Sequence, residues 1–126
     1  MTAIAEDVLY TTENEWAKIL DDVIRVGIDD YSQSSLGDIV HAEIFPEGTH
    51  VIAGKPFATI EATKSAIEIN SPVTGSISRI NPQILKLPGI INLDPYGEGW
   101  LAEISPDNPS ELDSLMTPQQ YRAFIQ

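Results

Sequence analysis

Chain breakers recur every 8–12 residues along this sequence, and the stretches between them are about five residues long with alternating polarity. That rhythm points to a small sandwich or flattened barrel. Glu15–Leu20 and Val23–Ile28 flank Asp21-Asp22 and read as a hairpin, with Ile24, Val26 and Ile28 on one face. Asp30–Leu36 has the pattern of a short helix stopped by Gly37 at a left-handed position. Ile39–Ile44, Phe57–Ala62, Ala66–Asn70 and Ser76–Asn81 are further strands, separated by FPEGT (45–49), VIAGKPF (51–57) and SPVTG (71–75). A Pro-marked loop over 81–99 leads to a last strand, Trp100–Ile104. SPDNPSEL (105–112) opens a helix, and Thr117-Pro118-x-Gln120 gives the start of another, with Thr at N-cap and Pro at N1. Tyr121, Phe124 and Ile125 then fall at helical spacing, as for a C-terminal helix docked on the sheet.

At 126 residues the chain is the size of one domain. Seven basic against nineteen acidic side chains leave a net charge of −12. Such a surface repels nucleic-acid phosphate and anionic membranes and favours basic protein partners. A hydrophobic content of 42% is too high for an acidic disordered tail. There is no cysteine, hence no disulfide, thiolate nucleophile or Cys-based metal site, and any redox chemistry has to arrive on a cofactor. The start, MTAIAEDVLY, has neither a basic n-region nor a long apolar run, and no stretch reaches the ~20 apolar residues of a membrane span. The expectation is a soluble, cytoplasmic protein without a membrane or nucleic-acid partner.

Catalytic motifs are missing. No GxGxxG follows a strand, and there is no P-loop, HExxH or GxSxG. His41 and His50, the two histidines, lack a second ligand at metal-site spacing, so no metal is expected. Nothing singles out an acid–base pair, and the chain does not read as an enzyme. One feature does stand apart. Of four lysines, Lys18 lies on a solvated strand face, Lys55 precedes a proline in a turn, and Lys86 belongs to the long loop. Lys64, in EATKSAIE (61–68), is centred on a hairpin tip between Thr63 and Ser65, where an enzyme could clamp and acylate it. On spacing alone, modification and an ordinary solvated turn residue both stay open.

EATKSAIEINSPVTG (61–75) closely resembles the lipoyl-lysine hairpin of the glycine cleavage system H protein family, with its Glu-x-x-Lys turn followed by a Ser-Pro-x-x-Gly bend. NEWAKI (14–19), VGIDDYSQSSLGDIVHAEI (26–44), PGIINLDPYGEGW (88–100) and SELDSL (110–115) agree in order and spacing, so the likeness spans residues 9–125. The resemblance implies one lipoyl-carrier domain over 1–126. Its fold would be mainly β, a flattened barrel or sandwich of two quasi-symmetric halves, lipoyl-domain-like, with a short helix near 30–36 and a C-terminal helix.

It also implies lipoate joined by an amide to Lys64, as a swinging arm that shuttles the aminomethyl group of glycine. Partners in the family are glycine decarboxylase, aminomethyltransferase, dihydrolipoyl dehydrogenase and the lipoyl ligase or transferase. H proteins shelter the loaded arm in a cleft, and by position in the motif Glu15 and Glu68 match the acids that would face its cationic amine. This sequence departs from the family where His-Glu-Trp becomes Asn14-Glu15-Trp16, preceded by Glu13, where Val-Lys-Ala becomes Thr63-Lys64-Ser65, and at Phe45. Those departures leave open an H-like carrier of a heterodisulfide-reductase-like sulfur-oxidation system or a lipoate relay. An unmodified protein-binding domain is the alternative from another class. A biotin carrier fits less well, because that family flanks its lysine with methionines.

Overall fold

The computed structural model describes residues 2–125. Strands β1 (Leu9–Tyr10), β2 (Glu15–Leu20) and β3 (Val23–Ile28) form an antiparallel meander. Its β2–β3 hairpin turns at Asp21-Asp22, and Asp21 takes the positive φ of 48° that short polar side chains tolerate. Helix α1 (Asp30–Leu36) follows, then β4 (Ile39–Ile44), β5 (His50–Val51), β6 (Pro56–Ala62), β7 (Ala66–Asn70) and β8 (Gly75–Ile80). The chain closes with α2 (Pro82–Lys86), α3 (Ile90–Leu93), β9 (Ala102–Pro106), a 3-10 turn over Pro109–Ser114, and α4 (Pro118–Phe124).

The strands divide into two antiparallel sheets. Six are ordered β1-β2-β3-β9-β8-β5 and three are ordered β4-β6-β7. The molecule is thus a mainly β sandwich and not a closed barrel. Before the Lys64 turn, β4 and β6 lie in the small sheet and β5 in the large one; after it, β7 lies in the small sheet and β8 in the large one. Ile24, Val26, Ile28, Ile77 and Ile104 of the large sheet meet Ile39, Ala42, Phe57, Ile60 and Ile69 of the small one in a single buried core. Each fully buried side chain of this size contributes roughly 1.5–3 kcal/mol, so the alternating runs suffice to hold the sheets together. A second cluster, Val8, Tyr10, Trp16, Trp100 and Tyr121, lies where α4 docks beside β1.

Several expectations change in detail. Residues 81–99 hold two short helices, because Asn81 caps α2 by accepting from Gln83 N at 3.1 Å with Pro82 at the first helical position. The last strand begins at Ala102 instead of Trp100, whose N–H still closes a turn onto Gly97 O at 3.2 Å. The segment after Asn108 is 3-10, not α-helical. Gly37 has positive φ (78°) but ψ of −155°, outside the left-handed helical well. Helix α4 has the expected Thr117 cap, completed by Gln120 into a reciprocal capping box. Of its expected docking face, Tyr121 is fully buried and Ile125 packs partly, whereas Phe124 is half exposed.

Candidate functional site

The site is built from the β6–β7 hairpin. Glu61 pairs with Ala66, and Ala62 N donates to Ser65 O at 2.7 Å, which leaves Thr63 and Lys64 as a two-residue turn. Neither has positive φ, so no glycine is required at the tip. Thr63 N donates to Asp38 O at 3.2 Å and ties the turn to the segment between α1 and β4. Residues 63–66 are all exposed. Among the described residues no hydrogen bond or ion pair holds the Lys64 ammonium, whereas Lys18 pairs with Asp7 at 3.1 Å. A primary amine at a tight exposed turn, flanked by small side chains, has the steric access that acylation needs.

Four residues further along β7, roughly 13 Å at the usual strand rise, Glu68 borders a cleft of about 320 Å³. One wall is the Glu13–Glu15 segment, a second is the face of α1 carrying Tyr31, Ser32, Ser35 and Leu36, and the third is Ile67 with Glu68. Asn14 sits at φ 68°, in the left-handed region that asparagine adopts more readily than most residues, and turns the chain into β2 at Glu15. The cleft holds three carboxylates and no lysine or arginine. Glu15 is buried, and burial pushes its carboxyl up to about 7 against the opposing hydrogen bonds from the Thr11 hydroxyl (2.7 Å) and Asn70 N (3.4 Å). Glu68 is exposed. Glu13 accepts from Asn70 Nδ2 at 3.0 Å, so Asn70 orients two of the three acids. Apolar Ile67 and Leu36 with acids at the rim suit a ligand that is hydrocarbon along its length and cationic at its end.

The family motif points to Glu15 and Glu68 but not to Glu13, Tyr31 or Asn70, which only the folded chain brings to the same place. Nor does the motif mark a cluster on the outer face of the small sheet. The ligand atoms of His41, Glu43 and Glu61 lie within 4.8 Å of one another, brought together by the β4–β6 register. All three are exposed, and the acids of so negative a surface approach each other without need of an ion.

The glycine cleavage H-protein family model matches residues 8–126. The mitochondrial glycine cleavage system H protein of Mesembryanthemum crystallinum is 41% identical over 99% of this chain and 76% of that protein. The glycine cleavage system H protein of Myxococcus xanthus is 41% identical, covering 98% of this chain and 95% of its own length. The crystal structure of a glycine cleavage system H protein from Mycobacterium marinum superposes with a TM-score of 0.88 at 32% identity, over 95% of this chain and 97% of that one. This chain belongs to the glycine cleavage H-protein family. Among its described residues, no helix is long and apolar enough to cross a membrane.

Proposed function

We propose that this protein is the lipoyl carrier of a glycine cleavage system, with lipoate amide-linked to Lys64, and that it works as one unit with no catalysis of its own. The observation that carries this reading is the exposed Lys64 turn beside a cleft with three carboxylates. When attached, lipoate supplies a dithiolane that accepts the aminomethyl group and its electrons. What the chain contributes is presentation and shelter. The two-residue turn holds the amine clear of the sheet for a lipoyl ligase or transferase. The cleft walls Ile67 and Leu36 exclude water from an apolar arm, and Glu68 and Glu13 offer charge to an amine at its end. Glu15, with its carboxyl near 7, ionises when a cation approaches and thereby trades a proton for an ion pair.

The partners in this reading are glycine decarboxylase, aminomethyltransferase and dihydrolipoyl dehydrogenase, which an acidic surface of charge −12 meets through basic patches. Its compartment is that of those enzymes, the cytoplasm or, as in the plant relative, the mitochondrion. The test is reconstitution. The lipoylated protein should support glycine decarboxylation and bicarbonate exchange with a purified decarboxylase, and the unlipoylated protein should not. A lipoylated protein that is inert with the decarboxylase would contradict the glycine cleavage assignment.

A further inference from the structure

Helix α1 forms one wall of the cleft, yet none of its residues is fully buried. Tyr31 is half exposed and Leu36 packs only partly on the core. A helix of seven residues without a buried stripe cannot be fixed by apolar packing, nor is it long enough to be stable by itself. Polar ties at its two ends hold it. At the C-terminal end, Asn92 Nδ2 donates to Gly37 O (2.8 Å) and Gln33 Oε1 (3.0 Å), and Asn92 Oδ1 accepts from Ile39 N (2.9 Å). At the N-terminal end, Asp30 N donates to the Tyr96 hydroxyl at 3.1 Å, and Ala3 N donates to Asp30 Oδ2 at 2.8 Å.

The innermost tie is Asp29. This side chain is fully buried, and its two oxygens do different things. One caps α1 by accepting from Ser32 N at 2.8 Å, and the other accepts from the Tyr121 hydroxyl of α4. A buried carboxylate is costly unless its oxygens are bonded, so the position of Asp29, and with it the start of α1, follows the position of its donor. Tyr121 has little freedom to move. Its ring stacks on Tyr10 with centroids 3.9 Å apart and planes 4° from parallel, and the Tyr10 hydroxyl is itself held by Ala5 N (2.8 Å) and Ala5 O (2.9 Å).

We propose that the Asp29–Tyr121 bond is the tie by which the C-terminal helix sets the α1 wall of the cleft, making Tyr121 a positioning residue for whatever the cleft shelters. The cleft's use rests on the carrier reading above; the tie itself does not. Tyr121 belongs to the aromatic cluster beside β1 and not to the core between the sheets, so loosening it should free α1 without melting the sandwich.

Two variants of the full chain test this. Tyr121→Phe keeps the stack on Tyr10 and removes only the hydroxyl. Asp29→Asn keeps a capping oxygen for Ser32 N and gives an amide that can donate to the Tyr121 oxygen, so it is the conservative control. Amide hydrogen exchange is followed for α1 and for the β2–β3 hairpin, alongside the rate at which the lipoylated, aminomethyl-loaded protein loses its cargo. In Tyr121→Phe, the α1 amides should exchange at least about tenfold faster while β2–β3 is unchanged, and cargo should be lost faster; Asp29→Asn should stay near wild type in both. Unchanged α1 exchange in Tyr121→Phe, or equal acceleration throughout the sheets, would overturn the proposal. Freed α1 amides with unaltered cargo loss would uphold the tie and contradict the sheltering reading instead.

Discussion

The Thr11 hydroxyl donates to Glu15 Oε1 at 2.7 Å, and Glu15 as a residue is only 4% exposed. Burial outweighs this bond and lifts the Glu15 carboxyl from an ordinary 4.5 to about 7. Between those two values the folded protein binds more protons at Glu15 than the unfolded chain, so this residue's contribution falls as pH rises through that window and is flat above it. Glu15→Gln should therefore be more stable than wild type near pH 8, by about 1–3 kcal/mol, with the difference shrinking toward pH 4.5. Urea unfolding across this range checks it, and a difference that does not vary with pH would contradict it.

The same carboxyl should govern the cleft's hold on a cation. A protonated Glu15 cannot pair with an ammonium group, and the cation itself lowers the Glu15 carboxyl from about 7, so the loaded protein should keep its cargo longer as pH rises through a window below 7. Glu68→Gln preserves volume and hydrogen bonding while deleting a charge at the cleft rim. It should shorten the lifetime of the loaded state and leave the rate of lipoate attachment unchanged. Equal lifetimes in the variant and wild type would remove Glu68 from the cleft's function.

Gly75 is fixed by close backbone approach. A Cβ there would lie 2.1 Å from Ser105 O and 2.9 Å from Pro106 Cα, both main-chain atoms of the neighbouring strand that cannot swing aside. Gly75→Ala should cost at least about 1–3 kcal/mol by forcing β8 and β9 apart. Gly89→Ala, where an added Cβ meets nothing within 4 Å and φ is −62°, should be close to neutral. Denaturation midpoints of the pair decide the matter, and similar midpoints would refute the steric account.

What the sequence made legible was local. The β2–β3 hairpin, the Asp30–Leu36 span of α1, β4, and the Thr117 cap are each written in adjacent residues, by alternation, capping chemistry or turn preference. The Lys64 turn was legible for the same reason. What escaped was set by packing between distant segments. Nothing near Glu15 in the sequence announces that it is buried, and only its place in the family motif marks it out. The Asp29–Tyr121 tie joins residues 92 apart, and the grouping of His41 with Glu61 depends on a strand register that alternation alone does not determine. Asn81-Pro82 was a local signal that the loop's many prolines obscured.

Of the four lysines, Lys64 alone is proposed to carry lipoate. Lys64→Arg keeps the positive charge at an exposed turn but offers a guanidinium where acylation needs a nucleophilic amine. Wild type and variant are incubated with a lipoyl ligase, lipoate and ATP, and their intact masses are measured. One lipoyl group is expected on the wild type and none on Lys64→Arg, with both proteins melting at nearly the same temperature. A lipoyl group on the variant, or none on the wild type under conditions that modify another carrier, would contradict the assignment of Lys64.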